Sequence, residues 1–417
     1  MPRRSLFFRI LSVAVVLIVA ILFALLIGDA FLNEGKPLTT FVPKGKYADD
    51  IFTLIIPVFA IAGVVFVGVM GAVLFITWKF KERDTDDPDE FPGQTHGNTV
   101  LELGWTILPA LILVGIAIGT VITIVELNRE PEDAIEVKVT GQQWWWQYQY
   151  DIDGDGSYDG PQDITTATEL VIPTGREIAL TVTSNDVIHS FWIPALNGKK
   201  DAVPGLTSPL NMQADEPGIY RGQCTEFCGL SHANMRMLVR AVEGDQFEAW
   251  VENQQKDHAA EPTSEMAQEG RTQFEALCAQ CHVIRGINGP GDEKQSDTAP
   301  PLVAGVAPDL THLMTRGTFA GSIYNLYRDV QNTGLVDENG DNLGDDPFDV
   351  AAAGNPGDVF TGGRVDSEAV NRVDLEAWLR NPQAMKPMYA QGGRGMPNLG
   401  LSEDQIDQLV AFLETLN

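Results

Sequence analysis

Cys224-Thr225-Glu226-Phe227-Cys228-Gly229-Leu230-Ser231-His232-Ala233-Asn234-Met235 brings two thiols, an imidazole, a thioether and a carboxylate into one short stretch. Soft thiolate and thioether ligands mixed with imidazole select copper, zinc or an iron–sulfur cluster over hard cations. A Cys-x3-Cys-x3-His-x2-Met loop can turn these donors towards one point. A second imidazole, His189, lies upstream in Asn185-Asp186-Val187-Ile188-His189. Two Cys and two His would serve zinc equally well, whereas the thioether of Met235 argues for copper. The sequence around the loop reads as strands. Ile135, Val137 and Val139 alternate with polar residues, and short β-rich runs follow at 169–172, 177–182 and 236–242, separated by turn signals such as Pro173-Thr174-Gly175 and Glu216-Pro217-Gly218. Such spacing predicts an all-β sandwich, in which loops at one end cluster, so His189 and the 224–235 loop can meet.

Two apolar runs precede the strands. Residues 52–78 and 105–125 carry no charge until Val125 and are each long enough to cross a bilayer with tilt. Lys79, Lys81 and Arg83 follow the first run, so the positive-inside rule puts the connection in the cytoplasm and both ends of a hairpin over 51–126 on the outer face. A buried hairpin of a soluble protein is the alternative, disfavoured by two such runs. Residues 1–30, with Arg3, Arg4 and Arg9 ahead of an apolar stretch, read as a signal peptide or a first membrane anchor, and either gives the same orientation.

After the strands, the polar, small residues 253–268 read as a linker. A helical pattern then ends in Cys278-Ala279-Gln280-Cys281-His282, the pattern of c-type haem attachment. A zinc or redox pair is the alternative. Ser402 followed by Gln405 predicts a capping box at the start of the last helix. Residues 334–363, rich in Asp, Gly and Asn, read as a long inserted loop. The four cysteines are thereby divided between the metal loop and the haem motif, and none is left for a structural disulfide.

The net charge of −29, from 57 acidic and 28 basic side chains, excludes a general nucleic-acid binder. It suits an acidic surface that steers a basic protein partner, and adaptation to salt gives the same charge. Asp151, Asp153, Asp155 and Asp159 follow the first positions of a calcium loop, but Gln162 stands where the bidentate Glu belongs, so an acidic hairpin turn is the preferred reading. In Trp144-Trp145-Trp146 side chains alternate across a strand, so at least one faces outward or into a partner.

The 224–235 loop, the hairpin and the Trp run together resemble subunit II of the haem–copper cytochrome c oxidases, and the segment from 269 resembles a class I cytochrome c. The resemblance implies a multidomain membrane protein of caa type: a transmembrane α-helical hairpin, an all-β cupredoxin-like CuA domain over 132–252 and an all-α class I cytochrome c domain over 269–417. It implies dinuclear copper, CuA, on His189, Cys224, the Glu226 carbonyl, Cys228, His232 and Met235. It also implies haem c on Cys278, Cys281 and His282, with the Pro308 carbonyl orienting His282. Met396, in a Met-Pro context, is the sixth iron ligand by the same resemblance, preferred over Met314, Met385 and Met388. Trp144 matches the family's exposed electron entry point. Glu102, in the entry to the second span, matches a residue near the cytoplasmic mouth of a proton path in the catalytic subunit; a helix-start carboxylate is the plainer reading. The Glu226 side chain is the candidate for a magnesium ion shared with subunit I. The match at Lys200–Gly205 ends at Leu206, where the family carries Arg, so that residue's ion pair is not carried over. The implied function is that of the electron-entry subunit of a proton-translocating terminal oxidase at the plasma membrane, multi-pass, with oxygen reduced on subunit I. Electrons would run from haem c to CuA to the haem–copper centre, with subunit I and other membrane subunits as partners and a cytochrome c or cytochrome bc complex as donor. A CuA subunit of a nitric oxide reductase and a free-standing membrane electron carrier stay open as alternatives; a quinol oxidase subunit lacks the copper ligands present here.

Overall fold

The alternation at Ile135, Val137 and Val139 becomes strand β1 (Ile135–Gln142), with these three side chains buried. In the computed structural model, residues 38–81, 96–257, 262–289, 307–327, 369–389 and 393–417 are described. β1 pairs antiparallel with β2 (Trp145–Asp151) and parallel with β5 (Ile178–Ser184). β3 (Ile164–Ala167) and β8 (Ser208–Met212) complete a five-stranded sheet in the order β3-β2-β1-β5-β8. A second sheet orders β4 (Glu169–Pro173), β10 (Arg236–Val242) and β9 (Gly218–Gln223) as β4-β10-β9, and β6 (His189–Trp192) pairs with β7 (Lys199–Ala202) as a ribbon. The parallel β1–β5 and β4–β10 pairs require crossovers, as a sandwich of two sheets does. Trp146, Tyr148, Tyr150 and Phe191 fill the space between them. Each buried side chain of Phe or Val size contributes about 1.5–3 kcal/mol.

The expected β-rich runs are all present as strands. The acidic stretch 151–163 links antiparallel β2 and β3, which agrees with a hairpin connection. Both Asp151 carboxylate oxygens accept backbone N–H groups of that turn, from Gly154 at 2.7 Å and Gly156 at 2.8 Å.

The two apolar runs form helices α1 (Lys46–Lys79) and α2 (Thr99–Leu127), which begin several residues before the apolar stretches. Asn98 caps α2 by accepting from Val100 N at 3.1 Å. Both are long and apolar enough to cross a membrane, and side chains such as Val64 and Leu111 are exposed.

Helix α3 (Gly244–Gln254) continues from β10. The predicted linker is shorter than 253–268: α3 reaches Gln254, and α4 (Glu265–Leu277) starts behind Ser264, whose hydroxyl accepts from Ala267 N at 3.2 Å. Ser264 is an N-cap, and the residues after it, from Glu265, are the first turn of a helix. α4 packs with α5 (Arg372–Arg380) and α7 (Glu403–Leu413) around a second core that includes Phe274, Leu375 and Phe412; a short α6 (Pro382–Met385) lies between α5 and α7. At the α4–α7 crossing a Cβ on Gly270 would lie 1.9 Å from the Gln408 carbonyl oxygen, so only glycine permits this approach. The predicted capping box of Ser402 and Gln405 is present at the start of α7. Residues 1–30 and 334–363 lie outside the described residues.

The chain forms two compact units, one of residues Asp49–Arg129 and one that contains Glu130–Asn417. The sandwich and the C-terminal helices belong to the same unit, and they are joined by buried polar contacts. Glu169 on β4 accepts from Arg240 Nη2 at 2.9 Å within the sandwich, and from Gly317 N at 2.8 Å and Thr318 Oγ1 at 2.9 Å across the junction.

Candidate metal centre and the pocket beside it

Cys224 follows the end of β9 and Met235 precedes β10, and the Cys224 N–H donates to the Met235 carbonyl at 2.9 Å. That bond closes the base of the loop, and a 3-10 turn at His232–Asn234 shapes its return. His189 opens β6, fully buried and pressed against β1. A Cβ on Gly141 would fall 2.8 Å from His189 Cδ2, so the absence of a side chain there is what admits the imidazole.

All six expected ligands meet. The two sulfurs, Cys224 Sγ and Cys228 Sγ, are 3.8 Å apart. On one side, Cys224 Sγ lies 3.9 Å from His189 Nδ1 and 3.3 Å from the Glu226 carbonyl oxygen. On the other, Cys228 Sγ lies 3.5 Å from His232 Nδ1 and 3.8 Å from Met235 Sδ. The site is thus two thiols flanked symmetrically by an imidazole and a weak donor each, a soft donor set that would hold copper. The Cys228 thiol brings Cys224 down to about 4, while Cys224 and burial push Cys228 up. The pair therefore presents a ready thiolate, the form that binds metal.

Three supports of this centre were not read from the sequence. Asp186 Oδ1 lies 2.8 Å from His189 Nε2, which fixes the ring with Nδ1 facing the sulfurs. Burial raises the Asp186 carboxyl, but bonds from His189, Gln143 N and Val187 N hold it below its usual range. The signal was present three residues before His189. The Cys228 carbonyl accepts from Gln143 Nε2 at 2.7 Å and from Trp144 Nε1 at 3.1 Å. Ser231, next to His232, donates its hydroxyl to the Pro387 carbonyl of the C-terminal domain.

The expectation of an exposed Trp144 is overturned: it is 2% exposed. Its cover comes from the chain itself. Lys386 Nζ donates to the Trp144 carbonyl at 2.6 Å, and the Tyr389 ring lies 6.4 Å from the indole. Trp145 and Trp146 are buried as well, Trp146 in the sandwich core and Trp145 towards a cavity it shares with Trp144.

That cavity, about 200 Å³, is the second candidate site. Cys278, Cys281, His282 and Met396 line it together with Trp144. His282 Nδ1 donates to the Pro308 carbonyl at 2.8 Å, so this tautomer leaves Nε2 with its lone pair. Burial holds His282 below its usual range and therefore neutral. An apolar cavity with two thiols, one imidazole acceptor and a thioether on its wall meets the needs of a covalently attached haem. Burial pushes the Cys278 thiol up to about 11.

Glu102 lies in the first turn of α2, with its carboxylate folded over Gly97. Leu206 is exposed, as are Val187, Ile188, Phe227 and Leu230 around the metal loop. Among the described residues the carboxylates of Asp151, Asp153 and Asp155 lie within 4.8 Å of one another.

Residues 135–242 match the family model for the periplasmic domain of cytochrome c oxidase subunit II, and residues 46–121 match the model for its transmembrane domain. The chain is 31% identical over 387 residues to cytochrome c oxidase subunit 2 of Alkalihalophilus pseudofirmus, covering 91% of both chains. It is 28% identical over 398 residues to the subunit 2 of Bacillus sp. strain PS3, covering 92% of both. Among solved structures, the periplasmic domain of subunit II of the Bradyrhizobium japonicum oxidase is 32% identical, with a TM-score of 0.27, 30% of this chain covered and 95% of that one.

Proposed function

We propose, because this chain belongs to the cytochrome c oxidase subunit II family, that it is a caa-type electron-entry subunit in which a haem c held by the C-terminal domain passes electrons to CuA and on to the haem–copper centre of subunit I. Membership makes it a copper-binding, membrane-anchored part of a terminal oxidase complex, with subunit I among its partners and its β domain on the outer face; catalysis belongs to the complex. Bound copper and haem supply reversible one-electron chemistry. The residues of this chain hold and insulate them. His189, Cys224, the Glu226 carbonyl, Cys228, His232 and Met235 are the proposed copper ligands. Cys278 and Cys281 are the proposed thioether attachments, and His282 and Met396 the iron ligands, with Pro308 fixing the His282 tautomer.

One observation carries the relay. The cavity wall that bears Cys278, Cys281, His282 and Met396 also bears Trp144, whose indole N–H bonds to the carbonyl of Cys228. Trp144 is therefore an internal junction between haem and copper rather than a landing point for an external carrier. A cytochrome c or a cytochrome bc complex would then deliver electrons to the haem domain. Glu102 at the head of α2 is proposed for the mouth of a proton path. The Glu226 side chain, exposed on the metal loop, is proposed for magnesium shared with subunit I. A multi-pass topology with the α1–α2 connection in the cytoplasm is proposed, supported by Lys79 and Lys81 after the first apolar run.

The test is an optical spectrum of the complex purified gently from membranes, reduced minus oxidised and with carbon monoxide. Low-spin haem c together with a CO-binding high-spin A-class haem is expected. B-class high-spin haem with non-haem iron would move the chain to nitric oxide reduction, and haem c and copper alone would indicate a free carrier.

A further inference from the structure

Lys386 is a lysine where a core side chain would be expected. It is 2% exposed, and it lies on the segment that runs from α6 towards Met396. Its ammonium donates to two carbonyls, the buried one of Trp144 at 2.6 Å and the part-buried one of Ala320 at 2.7 Å. These carbonyls belong to different parts of the unit: Trp144 closes the β1–β2 turn over the copper loop, and Ala320 begins the Ala320-Gly321 turn of the C-terminal domain. The Gly321 carbonyl accepts from Arg236 N, directly after Met235, at 3.1 Å. The residues after Lys386 continue the same contact: the Pro387 carbonyl accepts from Ser231, Met388 packs against the sandwich core, and Tyr389 faces the Trp144 ring. Lys386 also lines the cavity with His282 and Met396.

Burying an ammonium is costly unless it is well bonded, and here burial pulls Lys386 down to about 7. Packing alone would have been served by Met or Leu. What a lysine adds is a donor that satisfies two carbonyls at once across the junction, of which that of Trp144 would otherwise be a buried unpaired acceptor.

Building on the relay reading above, we propose that Lys386 is a positioning residue for electron transfer: by bonding the Trp144 carbonyl to the Ala320 turn, it fixes the indole between the haem pocket and the Cys228 carbonyl. Lys386 acts through Trp144. The two residues must therefore be non-additive, and each centre taken by itself must be intact without the lysine.

The experiment uses the whole complex carrying Lys386→Met, which keeps the stem and removes the donors. Three readouts are taken: haem c and CuA spectra with their potentials, the rate of haem c to CuA electron transfer after rapid photoreduction of the haem, and hydrogen exchange of segments 143–147 and 230–236. Both spectra and both potentials are expected to stay as in the parent. The internal rate is expected to fall at least about tenfold, and exchange of the two segments to quicken. In a Trp144→Phe background the same change should slow transfer little further, since coupled residues do not add. Lys386→Arg should restore most of the rate. If Lys386→Met does not assemble, Lys386→Gln, which retains a donor for one carbonyl, takes its place, with an intermediate rate expected. An unchanged rate in loaded K386M, or full additivity with W144F, overturns the proposal. Absence of haem c from the parent complex overturns the relay reading instead, so the two failures are distinct.

Discussion

The copper loop and the proposed haem pocket would solve the same problem, holding a redox centre, by opposite means. In the loop the protein supplies contacts: six donors already stand within 3.3–3.9 Å of a sulfur, and Asp186, Gln143 and Trp144 hold them from behind. The sandwich beneath has its own complete core in Trp146, Tyr148 and Phe191. In the pocket the protein supplies space: the second core lines a cavity of about 200 Å³, with Leu313, Phe319 and Leu409 on its wall. A metal centre of this kind can be lost while its domain stands. A domain built around such a pocket would, with the proposed haem bound, have that group as part of its core.

The largest effect follows from that difference. An unfilled apolar pocket of about 200 Å³ leaves the side chains of the second core that line it without packing partners. Replacing both Cys278 and Cys281 with Ser should therefore leave the C-terminal domain open to limited proteolysis while the mixed-valence copper signal persists. The counterpart, Cys224→Ser, should abolish that signal and leave the protease pattern of both domains nearly as before. Equal protease resistance in the Cys278/Cys281 double variant would end the contrast.

The junction between the regions should respond next. Glu169 is 3% exposed and serves Arg240 on its own side and Gly317 and Thr318 on the other. Glu169→Gln keeps an acceptor but removes the negative charge that Arg240, Gly317 and Thr318 share, a loss of about 1.5–3 kcal/mol. Calorimetry of the outer part of the complex is expected to show one transition in the parent and two in the variant, because the sandwich and the helices no longer melt together.

These contacts also mark where sequence reasoning stops. The cluster of donors at the copper loop was legible because five of the six lie within twelve consecutive residues and only His189 had to be brought in. The Cys278-x-x-Cys281-His282 run and the Ser402–Gln405 capping box were legible for the same reason: their partners are a few residues apart. Ser264 was misread as linker because an N-cap in small polar company looks like a loop until the helix behind it is seen. Trp144 was misjudged on a longer scale. What covers it is Lys386, 242 positions downstream, and no local pattern marks that lysine as buried. Glu169, reaching Thr318 across 149 positions, was hidden likewise.

A smaller effect separates ligand from support within the copper half. Asp186→Asn keeps the shape of the contact to His189 Nε2 but removes its charge. Losing such a support typically costs about 10–100-fold in metal affinity. Competition with a copper chelator should register that loss, while the haem c spectrum stays that of the parent. A shift in the haem spectrum would mean that the two regions are less independent than their separate cores indicate.

The smallest change in stability, and the sharpest in spectrum, belongs to Met396. Two methionines line the pocket, Met388 and Met396, and they face different regions. Met388 packs against the sandwich core, and its Sδ lies 2.6 Å from where a Cβ on Gly395 would be, so its thioether is held at the junction. Met396 packs instead against the helical core that contains Phe274 and Leu409. Met396→Leu conserves volume and should cost less than about 1.5 kcal/mol. It should nevertheless remove the low-spin thioether signature of haem c and lower its potential, because Met/His ligation raises it. Met388→Leu should leave both unchanged. The reverse result would assign the iron's sixth ligand to the junction segment, and the separation of the two regions would then fail at the very residue that joins them.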